Sequence, residues 1–138
     1  MMRIMIAAAA VSLAFGGAAP ALADDIPGCD NETLNNMELD QCAGKAFKAA
    51  DAELNAIWPK VLAAIDSMGA DMPADAARDW KTAMIDAQRA WVTFKENDCN
   101  AVQYEWYGGS GASLAVTSCL YHHTADRVAD LKARYLDR

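Results

Sequence analysis

Four cysteines, Cys29, Cys42, Cys99 and Cys119, constrain this 138-residue chain more than any other feature. None of them has the C-x-x-C spacing that short zinc motifs use, and none belongs to a C-x-x-C-H haem attachment. An even count in an exported chain of this size reads as two disulfides. Three connectivities are open. Cys29–Cys42 with Cys99–Cys119 is preferred, because each pair brackets a loop-like stretch and the two closures do not cross. In the loop-entropy description, the longer closure stabilises the fold by about 3 kcal/mol.

Export is read from the N-terminus. Met1-Met2-Arg3 is a short positive start, Ile4 to Ala19 is apolar and small, and Ala21-Leu22-Ala23 has the small-x-small form of a signal-peptidase site. Residues 1–23 are therefore expected to be a signal peptide, with Asp24 opening the mature chain. The short, Gly-interrupted apolar core favours a removed signal over a membrane span. The remaining chain, 24–138, suits one compact domain, carries no second run of membrane length, and belongs in the periplasm or outside the cell. The whole sequence has 12 basic and 19 acidic residues, a formal charge of −7, and loss of Arg3 makes it one unit more negative. Such a surface repels nucleic acid phosphates and anionic lipid and attracts cationic partners.

Helical periodicity organises the rest. Asp24 to Gln41 is polar and irregular, with a Pro27-Gly28 turn and at most a short helical turn around Thr33 to Leu39. From Ala43 to Met68, the residues Phe47, Ala50, Leu54, Ile57, Val61, Ile65 and Met68 recur every three or four positions, one face of a helix. Pro59 is expected to kink this helix without breaking it, and Gly69 to stop it. Asp71 or Met72 caps a second helix with Pro73 in its first turn, and Trp80, Met84, Ala87, Trp91 and Phe94 mark its apolar face. The short connection packs these two helices antiparallel. After Cys99 the period fails until about Leu114, and a third helix then follows through Leu120, Thr124, Val128 or Arg127, Leu131 and Tyr135. No strand pattern competes. The expected fold is all-α: a small three-helix bundle, a helical hairpin plus a third helix, stapled by two disulfides.

Few side chains form a reactive set. Gly108-Gly109-Ser110-Gly111-Ala112 lacks the final glycine of a nucleophile elbow, and no strand precedes it. The glycines instead allow positive φ in a tight turn, with Ser110 or Ser113 capping the third helix. His122 and His123 are adjacent and point about 100° apart, so they do not chelate a metal together. His122 and Asp126 have the i, i+4 spacing of a surface contact. The Gly-rich segment also lacks the Lys-Ser/Thr ending of a phosphate loop. No catalytic set, cofactor site or metal site is expected. Trp58, Trp80 and Trp91 belong to the core by their spacing. Tyr104, Trp106 and Tyr107, beside Gly108, Gly109 and Ser110, lie outside any helical period and form the candidate partner-binding loop, with Trp106 as its anchor. Gln88, Arg89, Thr124 and Arg127 are candidate polar struts for that loop. Arg89 would pair with Asp86, Glu96 or Asp98, and Arg127 with Asp130 or the loop carbonyls.

The ordered run Asp51-x-x-Leu54-Asn55-x-x-Trp58, Ala87-Gln88-Arg89-x-Trp91, Cys99, Gly108-Gly109-Ser110, Cys119-Leu120, Thr124, Arg127 and Leu131 resembles the lysozyme inhibitor LprI-like N-terminal domain. The match extends from about Cys29 to Leu131. It departs from the family in Trp58, where a tyrosine is frequent, in Lys95, where an arginine is frequent, and in Pro59 within a helix. The resemblance implies an exported, mostly helical, disulfide-bonded domain and suggests inhibition of lysozyme, while the lack of an acid–base–nucleophile set argues against an enzyme. An acidic inhibitor would gain on-rate against a cationic lysozyme. The alternative is an envelope accessory domain that binds another protein or peptidoglycan fragments without inhibiting anything.

Overall fold

The computed structural model describes residues 26–29 and 32–137. The expected signal peptide, residues 1–23, lies outside them. Three helices follow one another, α1 (Asn36–Met68), α2 (Ala74–Glu105) and α3 (Ala112–Tyr135), and no strand occurs among the described residues. The all-α three-helix reading therefore holds. Both disulfides have the preferred connectivity, Cys29–Cys42 with a Cα separation of 5.7 Å and Cys99–Cys119 with 5.6 Å.

α1 starts seven residues earlier than its apolar stripe suggests, because a capping box sets its first turn. The Asn35 side chain accepts from the Met37 and Glu38 amides at 3.0 and 3.1 Å, and Glu38 Oε2 accepts from the Asn35 amide at 3.0 Å. Orphan donors at the helix start are thereby satisfied. The extra turns carry buried Leu39, and buried Ala43 follows it on the same face, so the stripe begins with these two and not at Phe47. The helix runs unbroken through Pro59. Pro59 and Asn55 are both exposed, so water can take the Asn55 carbonyl that the proline leaves unpaired. Gly69 ends α1 without a left-handed turn, at φ −82°. Its hydrogen is needed for close approach instead, since a Cβ there would sit 3.2 Å from the Ala77 Cβ across the corner into α2. Pro73 is the cap of α2 and not a member of its first turn.

α2 continues past Cys99 to Glu105, through the stretch expected to be loop. The two connections are short, so α2 runs antiparallel to α1 and α3, and α1 and α3 run parallel. The packing is unequal. α1 lies mainly against α3, α2 leans on α3, and α1 and α2 touch little. The main core, Leu54, Ile57, Val61, Ile65, Met84, Val128, Leu131 and Tyr135, is accordingly built chiefly from α1 and α3, with Trp58, Trp80 and Trp91 partly buried at its edge. A second, smaller core of Ile26, Cys29, Leu39, Ala43 and Leu114 lies beside Cys42, where the N-terminal segment packs over the start of α1 and α3.

Candidate functional site

The α2–α3 hairpin tip is shorter than the sequence suggests, because Tyr104 belongs to the last turn of α2 and only residues 106–111 connect the helices. Successive turns close it. The Tyr107 amide donates to the Tyr104 carbonyl at 3.2 Å, the Gly109 amide to the Trp106 carbonyl at 2.9 Å, and the Ala112 amide to the Gly109 carbonyl at 3.4 Å. Gly108 adopts φ +79°, the left-handed conformation that its missing Cβ permits. Trp106 is not the free anchor expected of it. Its ring is half-buried and lies over Gly111, where a Cβ would come within 3.6 Å of the indole. The outward-facing aromatics are Tyr104, 69 % exposed, and Tyr107, 85 % exposed.

The tip stands on a cross-braced base. Neither serine caps α3, whose N-cap, Gly111, supplies no side-chain bond. Ser113 and Thr117 instead donate to the two carboxylate oxygens of Asp40 on α1, at 2.6 and 2.7 Å. Ser110 Oγ accepts from Asn36 Nδ2 at 3.5 Å. The Cys99–Cys119 bond joins α2 to α3 well inside both helices, so it fixes the helix pair and not the ends of the connection. Beside it His123 Nε2 meets Asp98 Oδ2 at 2.8 Å, and the Phe94 ring stands edge-on to His123 at 5.4 Å. Cys99, Cys119 and His123 place possible ligand atoms within 4.8 Å of one another, yet both sulfurs are committed to the disulfide and offer no thiolate. His122 packs on Tyr121 at 5.1 Å and leaves its Nε2 buried without a hydrogen bond, in place of the Asp126 contact its spacing allows.

The four polar struts do not reach the tip. Arg127 Nε donates to Gln88 Oε1 at 2.9 Å, bracing α2 to α3 at mid-bundle, and its Nη1 donates to Asp130 within α3 at 3.0 Å. Burial holds the Arg127 guanidinium below its ordinary pKa, against the opposing pull of Asp130. Arg89 pairs with Asp86 at 3.2 Å on the exposed face of α2. Thr124 is fully buried and donates to the Leu120 carbonyl at 2.7 Å.

One residue of the α2 inner face escaped the sequence reading. Phe94, expected on that face, is 55 % exposed, whereas Lys95 is only 6 % exposed. The inward-facing stripe runs through buried Met84, half-buried Gln88 and Trp91, and buried Lys95 and Cys99, stepping by four and three to the disulfide. Counting back from Cys99 would have found it. Lys95 lines an open groove of ≈ 320 Å³ between α1 and α2, together with Asp51, Asn55, Trp58, Gln88 and Trp91.

Among the described residues, no helix is long and apolar enough to cross a membrane. The chain is 36 % identical over 129 residues to the uncharacterized protein R02472 of Rhizobium meliloti (strain 1021), covering 91 % of this chain and 92 % of that one. No solved structure matches it. The family described as Lysozyme inhibitor LprI matches residues 29–131, a span that includes both disulfides and all three helices up to Leu131. By that match over most of its length, the chain belongs to the LprI lysozyme inhibitor family.

Proposed function

We propose that this protein is exported, loses residues 1–23, and inhibits a lysozyme-type glycosidase in the periplasm or outside the cell, binding it through the α2–α3 tip. Family membership supports the target class, and two disulfides suit an oxidising compartment. The observation that carries the choice of surface is the pair Tyr104 and Tyr107, 69 % and 85 % exposed at the end of a braced hairpin. Exposed aromatics on a rigid support gain contact area at low entropic cost, because the support is ordered before binding. Trp106 has a different part: it lies over Gly111 and holds the turn that presents the tyrosines. The acidic surface would speed encounter with a cationic lysozyme and lose that advantage as salt rises.

Substituting both Tyr104→Ala and Tyr107→Ala is expected to weaken inhibition of a c-type lysozyme by about tenfold or more, on the scale of interface hot spots. The circular dichroism spectrum should be unchanged. Undiminished inhibition by the doubly substituted protein would remove the tip from the binding surface.

A further inference from the structure

The α1/α2 groove holds a buried cation that no carboxylate pairs directly. Lys95 is 6 % exposed, and its ammonium lies 4.9 Å from the Trp91 ring centroid and 5.4 Å from that of Phe47. Among the described residues it forms neither an ion pair nor a hydrogen bond. The two rings attract it through their negative faces, but they replace only part of the hydration lost on burial. Asp51 lines the same groove, and there it accepts from Asn55 Nδ2 at 3.2 Å rather than from Lys95. The ammonium is thus ready to receive an anion that enters from solvent.

The rest of the lining narrows what that anion is attached to. Gln88 spends its carbonyl oxygen on Arg127 Nε at 2.9 Å, which leaves its amide NH₂ as a donor on the groove wall. Asn55 donates to Asp51, which leaves its carbonyl oxygen as an acceptor. Trp58 and Trp91 supply indole surface from the two helices. A site with aromatic surface, separate donors and acceptors, and one cation suits a polar ring bearing a single negative charge. The carboxylates of Asp51 and Glu96 in the same lining disfavour ligands of higher negative charge, such as phosphate esters. The volume, ≈ 320 Å³, is at the small end of ligand pockets and takes one ring, not an extended chain.

We propose that the α1/α2 groove binds a sugar acid, with the carboxylate on Lys95, the ring against Trp58 and Trp91, and the hydroxyl or amide groups on Gln88 and Asn55. This site is separate from the α2–α3 tip and stands or falls independently of lysozyme inhibition.

The test is titration of the purified, oxidised protein with glucuronic acid and with N-acetylmuramic acid. Glucose, N-acetylglucosamine and acetate serve as controls, and tryptophan fluorescence and indole N–H chemical shifts as readouts. The two acids are expected to bind at least about tenfold more tightly than the neutral sugars and than acetate, the scale of one charge-assisted contact. Lys95→Met should abolish that preference while the thermal midpoint stays level or rises, and Lys95→Arg should keep the preference. Equal binding of acids and neutral sugars, no binding of either acid, or undiminished acid binding by Lys95→Met would overturn the proposal. Acetate binding as tightly as glucuronic acid would overturn the assignment of a ring.

Discussion

The two seams that α1 makes with its neighbours differ in kind. Against α3 it buries Leu54, Ile57, Val61 and Ile65 on Val128, Leu131 and Tyr135, and nearer the start of α1 the same seam holds a groove of ≈ 290 Å³ lined by Ala46, Ala50, Glu53, Tyr121, Ala125 and Val128. Against α2 it meets an ion pair near the corner, Lys81 to Asp66 at 2.7 Å, then partly buried tryptophans, and then the open groove with Lys95. Both seams are lined by helical stripes of the same period. The difference teaches that burial on a stripe does not by itself mean packing. The α3 seam carries most of the apolar core, whereas the α2 seam places a buried lysine and two tryptophans in the wall of its groove.

The largest expected effect falls on the apolar α1/α3 core. Leu131 is fully buried, and Leu131→Ala should destabilise the protein by about 2–5 kcal/mol in urea denaturation, through lost transfer energy and the cavity left behind. Next comes the staple that holds α2 to α3 while α2 is loosely held by α1. Replacing Cys99 and Cys119 together with serine should cost about 3 kcal/mol, read as a lower denaturation midpoint. Asp40→Ala leaves Ser113 and Thr117 without their acceptors and should cost about 1–2 kcal/mol, since the bonds are charge-assisted but partly exposed. On the α1/α2 seam the sign changes. Lys95→Met removes a buried charge without a counter-ion and should be neutral or stabilising by about 1 kcal/mol. A loss comparable to that of Leu131→Ala would mean that the α1/α2 seam carries as much stability as the α1/α3 seam.

The smallest effect concerns pH. The hydrogen bond from Lys132 to Glu53, 2.8 Å across the α1/α3 seam, raises the pKa of Lys132 above its ordinary value. A raised lysine pKa contributes stability that is complete below the unfolded-state value and is lost as pH rises through the folded one. Thermal midpoints should therefore fall slightly in the alkaline range above the ordinary lysine pKa, and Lys132→Met should remove that part of the fall.

The three helices were legible because each needs an apolar stripe to pack at all. The preferred disulfide pairing was legible because it leaves the two closures uncrossed. What was missed had little or no apolar signal. The start of α1 rests on the Asn35–Glu38 capping box, a polar device inside a polar stretch. The last turns of α2, residues 100–105, are exposed apart from half-buried Val102, so no period marked them as helical and the loop was drawn too long. Trp106 and Tyr107 differ in exposure through the fold of one short turn, which composition does not encode. Lys95 was passed over because a lysine counts as polar in any periodicity. Its place in the stripe shows only when the spacing from Trp91 to Cys99 is followed regardless of residue type.

The most direct test of the proposed function is lysis of a peptidoglycan suspension by a c-type lysozyme, with and without the purified, oxidised protein lacking residues 1–23, at low and physiological salt. Stoichiometric loss of lysis that weakens as salt rises is the predicted result. Full lysis in the presence of excess protein at both salt concentrations would contradict it.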